Sequence, residues 1–409
     1  MSTEGSKRFR LMNDHSRAVN RAAVASLILG RIIYAVNWYS LAAVFSFTGS
    51  ELHQNVSGLG LVTSAFFAGI GIFQVPGGVL AAKIGPRWTV IFGTTVTSAT
   101  ALLTGFASNL PELAVLRFFV GAGMAFVFAP GVILTARFLQ QGSEGLGVGF
   151  YNSAFSLGAA VGLFGWAVLA AEIGWRISLA LGGLLGLFTV VLLWFLIPKD
   201  NQRPDFSVKL QDLRLVLLDK WLIILSVATL GLQVGSTIYS SFMVYYLQSA
   251  VHINIGEAGT IASLASLFAL ASAPFAGRLF DRYGNTKRLL VASGSLMAIG
   301  VGVAFLGTVY SAILAGVLVG LATGSGFTFA FSAASEANKL DKEYETLAVS
   351  WVNSISLFGN LASPLLFSYL VIQYGYSPAW LYMAVLTFAL IIPLLFSNVP
   401  KQKRTQPQT

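Results

Sequence analysis

Residues 277–288 read Gly277-Arg278-Leu279-Phe280-Asp281-Arg282-Tyr283-Gly284-Asn285-Thr286-Lys287-Arg288, a charged turn set between two long apolar runs. An earlier stretch, Gly78-Val79-Leu80-Ala81-Ala82-Lys83-Ile84-Gly85-Pro86-Arg87, repeats its glycines and its basic end, with Ala82 where the later copy has Asp281. A turn that occurs twice in the same setting predicts two related halves. Glu144, Asn152-Ser153 and Gly158 recur as Glu345, Asn353-Ser354 and Gly359 at a constant offset of 201 residues. Ile173-Gly174-Trp175 and Tyr374-Gly375-Tyr376 keep that offset, and Tyr39-Ser40 matches Tyr239-Ser240 at 200.

The runs around these turns set the solvent. The 409-residue chain is 56% hydrophobic and 10% charged, with mean hydropathy +0.75, more apolar side chain than a surface in water can carry. Twelve apolar runs are predicted, at 22–47, 57–82, 88–107, 111–138, 145–170, 175–197, 220–247, 256–280, 288–307, 310–334, 345–372 and 378–398. Each is long enough to cross roughly 30 Å of hydrocarbon as a helix. The expectation is an all-α polytopic protein with a segment 1–21, a six-helix bundle 22–198, a linker 199–219, a second six-helix bundle 220–398 and a tail 399–409. No cleavable signal peptide is expected, because the basic segment 1–21 leads into a run too long for one.

The net charge of +9 is a topology signal and not a nucleic-acid footprint. Lys and Arg crowd the N-terminus, the turns at 83–87 and 278–288, the linker, residues 336–345 and the tail, whereas the breaks 48–56, 108–110, 171–174, 248–255, 308–309 and 373–377 hold none. By the positive-inside rule both termini and the linker are cytoplasmic, and a plasma-membrane location is expected. With no cysteine, disulfides and thiolate sites are excluded. The runs hold neither a nucleophile with its base nor clustered metal ligands, so no enzyme activity, metal or cofactor is expected. The partners expected are a small-molecule solute and the bilayer, with the chain working as a monomer.

The two turns resemble the signature loop of the major facilitator superfamily, and Arg117 with Gly121-Ala122-Gly123 is similar to its second motif. That resemblance spans the whole chain. It implies two bundles that rock to expose a midplane site alternately to either side. It also implies a cytoplasmic latch in which Asp281 meets the positive start of the fifth run, with Ala82 making the first-half latch weaker. Gly78, Lys83, Gly85, Arg87, Arg117, Glu144, Asp281, Arg282, Gly284, Lys287 and Glu345 are the gating candidates, Arg117 with a structural role against backbone carbonyls as the stronger reading.

Charges inside the runs are few, and Arg31 stands out, roughly 5 Å from the centre of the first run. Burying an unpaired guanidinium at that depth costs at least about 2.5 kcal/mol, and no Asp or Glu lies in the interior of any run to pair with it. An anionic solute would supply the missing charge, with Tyr34, Asn37 and Trp38 beside Arg31 on the helix. The alternative is that Arg31 snorkels to the cytoplasmic headgroups. Asn152, Gln233, Thr237, Tyr239, Asn353 and Ser356 are the further candidates for lining the solute path, Gly231 replacing Arg31 in the second half. Arg176 reads as an interfacial anchor.

His15, His53 and His252 lie outside the runs, and the acids sit at run ends, so exchange or uniport fits better than an embedded proton relay. The leading expectation is a secondary carrier for a small organic or inorganic anion. A drug or amphipathic-solute exporter is the runner-up, although the resemblance would then call for a glycine-proline pair that 145–170 lacks, and a neutral sugar carrier is third.

Overall fold

The computed structural model of the chain describes residues 3–138, 144–199, 217–283, 286–335 and 342–397, and every regular element in them is helical. The first half comprises α1 (Thr3–Trp38), α2 (Ser40–Glu51), α3 (Val56–Ile84), α4 (Pro86–Thr104), α5 (Leu110–Ala125), α6 (Phe128–Phe138), α7 (Glu144–Ile173) and α8 (Trp175–Leu196). The second comprises α9 (Lys220–Ser249), α10 (Ile255–Tyr283), α11 (Thr286–Val303) with a 3-10 turn at Ala304–Leu306, α12 (Val309–Ser335), α13 (Lys342–Tyr374), α14 (Tyr376–Ala389) and α15 (Ile392–Phe396). Counting α1 with α2, α5 with α6 and α14 with α15 as single passes gives the twelve spans of a polytopic helical fold.

Eleven of these are long and apolar enough to cross a membrane by length and composition. The twelfth, α4, holds six threonines and a serine, which lower its hydropathy. Thr89, Thr94, Thr95, Ser98, Thr100 and Thr104 each donate to the carbonyl four residues earlier, at 2.6–2.9 Å, so their hydroxyls are satisfied inside the helix.

Three interruptions depart from the expectation of unbroken runs. In the second and third, at 126–127 and 390–391, Pro130 and Pro393 lack the N–H that the preceding turn needs. The first, at Tyr39, has no proline or glycine and a different cause, given below. The first run also starts earlier than 22, since α1 continues back to Thr3.

The chain divides into two compact units, one of residues 1–48 and 65–206, the other of 49–64 and 207–409. Residues 49–64 thus group with the second unit, where the sequence expectation kept them in the first bundle. Within that unit Ser64 Oγ donates to the Leu361 carbonyl (2.8 Å), and a Cβ on Gly60 would strike Ser368.

The repeat is visible in backbone geometry. Gly174 and Gly375 open α8 and α14 with φ of 82° and 83°, a region that L residues with a Cβ rarely enter, and Gly85 opens α4 with φ 88°. Gly158 lets α7 touch α1, and Gly359 lets α13 touch α9. The fits differ in tightness. A Cβ at 158 would overlap the Ile32 carbonyl, whereas one at 359 would meet Val234 Cγ2 at 3.0 Å, a side chain that can give. Gly158→Ala is therefore expected to destabilise the protein by about 1–3 kcal/mol and Gly359→Ala by less. Thermal unfolding of the two variants in one detergent checks this order, and equal midpoints would contradict it.

Candidate functional site

The break at Tyr39 is where the first unit gathers its polar groups. Trp166 Nε1 on α7 donates to the Val36 carbonyl (2.8 Å), and Arg117 on α5 donates from Nη2 to the Trp38 carbonyl (3.1 Å) and from Nη1 to the Asn37 carbonyl (3.4 Å). Ser40 Oγ also donates to Asn37 O (2.9 Å). Three successive carbonyls of α1 are thus drawn sideways by donors from other helices, which releases them from the helical ladder and lets the chain bend. Arg117 is 4% exposed and bonded to backbone carbonyls as a clamp on a broken helix, the structural role that the sequence favoured for it.

The second half has the same helices without the clamp. Gly121 on α5 packs on the Phe66 carbonyl and Gly320 on α12 on the Ala265 carbonyl, so by packing register the position of Arg117 falls to Gly316. Trp166 is replaced by Phe367, which packs on Phe242 and Trp380 at 4.8 and 4.7 Å. Neither replacement can donate from its side chain, and α9 runs unbroken through Tyr239, whose hydroxyl donates to the Ile261 carbonyl (3.1 Å).

Other cations do similar work at helix ends. Arg87, 4% exposed at the second position of α4, donates from Nε to Ile197 O (2.9 Å) and from Nη2 to Trp194 O (2.7 Å), closing the end of α8. Lys287, at the second position of α11, donates to Ser397 O (3.0 Å) just past α15. Both were expected to gate. Each is bonded within its own unit, where a cation is favourable against the negative end of a helix. Arg176 donates to Gly105 O (3.2 Å) and Ala107 O (2.8 Å) after α4, more than an interfacial anchor requires.

Arg31 is different. It is 6% exposed, so it does not snorkel to the headgroups, and its Nε and Nη1 are buried without a hydrogen-bond partner. Four rings surround its guanidinium carbon, Tyr34 at 4.4 Å, Phe155 at 4.6 Å, Phe128 at 4.9 Å and Tyr151 at 5.0 Å. Trp38 extends the cluster, 5.7 Å from Tyr34 and 5.5 Å from Phe155. Three helices build it. Tyr34 and Trp38 follow Arg31 along α1, Tyr151 and Phe155 lie one turn apart on α7, and Phe128 opens α6 after the proline-dictated break.

The structure brings the sequence candidates Arg31, Tyr34 and Trp38 together with Phe128, Tyr151 and Phe155, which the sequence did not single out. The one available signal was that Tyr151 and Phe155 sit four apart beside the repeated Asn152. Asn37 is a correction, because its Nδ2 donates to Ile33 O and Gly182 O (both 3.1 Å), and it lines a void of about 10 Å³ with Gly30, Thr97, Ser98 and Gly186, room for about one water. Asn152 is exposed.

The second-unit candidates are largely satisfied among themselves. Thr237 donates to Asn360 Oδ1, Ser356 Oγ donates to the Asn353 carbonyl (2.7 Å), and Tyr239 is buried, while Gln233 is half-buried. These correct the reading of Thr237, Tyr239 and Ser356 as free ligands. Among the other gating candidates Gly78 faces open space, and Lys83 and Arg282 are exposed. Gly284 and the side chains of Asp281, Glu144 and Glu345 lie outside the described residues.

The family profile of the Major Facilitator Superfamily matches residues 27–234 and again 225–409. The chain belongs to this superfamily. It is an integral membrane transporter, as are its curated relatives. A probable sulfoacetate transporter, SauU of Cupriavidus necator, is 25% identical over 86% of this chain and 89% of its own length. A probable L-galactonate transporter of Escherichia coli is 22% identical over 65% of this chain and 62% of its own. A gallate transporter of Pseudomonas putida is 30% identical over 39% of this chain and 36% of its own. Among solved structures, the nucleoside transporter NupG superposes with TM-score 0.76 at 15% identity, covering 92% of this chain and all of that one (100%), which supports the superfamily fold. A bacterial homolog of the human lysosomal transporter Spinster superposes with TM-score 0.74 at 14% identity, covering 92% of this chain and 95% of that one.

The clamp on α1 is open to a direct check. Trp166→Phe keeps the ring and removes the donor to Val36, with an expected loss of about 1–3 kcal/mol, and Arg117→Met, which strips two carbonyls, is expected to cost more. Unfolding midpoints equal to the parent in both variants would show that the break holds itself.

Proposed function

We propose that this superfamily member is a secondary carrier for a small organic anion, working by alternating access, with Arg31 as the group that holds the negative charge of the solute. The observation that carries the reading is the contrast among cations of the first unit. Arg87 and Arg117 each donate to two backbone carbonyls and leave one nitrogen unpartnered, while Arg31, similarly buried, leaves two, Nε and Nη1, inside a shell of rings. No Asp or Glu lies in the interior of the apolar runs, so the counter-charge comes from outside the chain. The names of several relatives, for sulfoacetate, galactonate and gallate, are those of organic anions. With no carboxylate or histidine in the run interiors, anion exchange or uniport fits better than proton coupling through the protein. The sorting of Lys and Arg supports cytoplasmic termini in a plasma membrane.

Arg31→Met provides the test, because it removes the charge and keeps apolar bulk. An unpaired buried charge is destabilising, so the variant is expected to unfold at a higher temperature than the parent without ligand. Small organic anions are expected to stabilise the parent, by about 2.7 kcal/mol at a hundredfold excess over Kd, and not to stabilise the variant. Uptake into proteoliposomes should fall in parallel. Equal stabilisation of both proteins by the same anion would remove Arg31 from the site.

A further inference from the structure

Resting on the anion-carrier reading above, we propose that the preferred solute is an aryl carboxylate, a flat aromatic body carrying one carboxylate, and that Trp38, Phe128 and Phe155 select it. The shell around Arg31 grades from buried to accessible. Tyr34 and Tyr151 are 8% and 1% exposed, whereas Trp38, Phe128 and Phe155 are half-buried, so the more accessible part of the shell is made of apolar rings. Trp38 stands edge-on to Phe155 at 90° and to the buried Phe66 at 83°, the mutual geometry that aromatic rings prefer. Ring edges are electropositive and faces electronegative, so a benzoate ring can stack or meet edge-on while its carboxylate takes the free nitrogens of Arg31.

Apart from the hydroxyls of Tyr34 and Tyr151, this surround offers few partners to the other organic anions. A sugar acid needs a partner for each hydroxyl that it buries. The amide of Asn37 is engaged with Ile33 and Gly182, Ser40 Oγ with Asn37 O, Arg117 with Asn37 O and Trp38 O, and Trp166 Nε1 with Val36 O. These polar groups next to the cluster are taken by the broken helix. The names of the relatives do not choose, since they include an aromatic acid and a sugar acid.

The full-length protein is titrated with benzoate, cyclohexanecarboxylate, acetate and gluconate, reading ligand-induced thermal stabilisation and competition for proteoliposome uptake. Benzoate is expected to bind about tenfold or more tightly than cyclohexanecarboxylate or gluconate. Phe155→Leu and Trp38→Leu keep apolar volume and lose the ring, and each is expected to weaken benzoate about tenfold while moving acetate by less than about twofold. Phe128→Leu serves if either fails to fold, and the ranking on the parent protein needs no variant. Gluconate or acetate matching benzoate, with the response still abolished by Arg31→Met, would overturn the aryl preference and leave the anion-carrier reading standing. A response independent of Arg31 would overturn both.

Discussion

Inside a membrane each backbone carbonyl must find its partner within the protein, and the first unit of this transporter is organised around that demand. Arg117 and Trp166 answer it for the carbonyls of Val36, Asn37 and Trp38, and by doing so they bend the helix that carries Arg31. The bend follows the donors. Nothing in the local sequence at Tyr39 breaks a helix, as the uninterrupted α9 through Tyr239 demonstrates with the same Tyr-Ser pair. Donors placed on α5 and α7, far away in sequence, decide whether the ladder of α1 closes.

The two halves therefore diverge through a few exchanges. Gly316 stands for Arg117, Phe367 for Trp166 and Gly231 for Arg31, and each exchange removes a donor from the second unit. There, Tyr239 fills the space over Gly316 and bonds to α10, while apolar rings pack around Phe367. The scaffold is kept, as Gly174 and Gly375 attest with nearly identical φ. Among the described residues the buried arginines, Arg31, Arg87 and Arg117, all belong to the first unit.

Much of this was legible in the sequence because lipid enforces long runs and sorted charges. The apolar runs, the duplicated turns and Arg31 as the odd buried cation all came from spacing and composition. Side-chain partners did not. Asn37 lies in sequence between Tyr34 and Trp38, yet its amide turns to Gly182 on α8, a contact 145 residues away that no local pattern encodes. Phe128 reaches Arg31 only because Pro130 interrupts the pass it belongs to. Arg87 and Lys287 sit in turns whose resemblance implies gating, while their bonds to Ile197 and Ser397 depend on where α8 and α15 happen to end.

The aromatic shell explains how Arg31 can persist without a carboxylate. A guanidinium over a ring face gains about 0.5–2 kcal/mol, so the rings recover part of the cost of at least about 2.5 kcal/mol for an unpaired cation at this depth. A fixed Asp or Glu would have neutralised the charge more completely, and would then have competed with any anion for it. Rings moderate the field without hydrogen-bonding to Nε and Nη1, which are left without a partner. A carrier must bind its solute well enough to load and weakly enough to release, and a cation held by quadrupoles and not by a counter-ion is suited to both halves of that cycle.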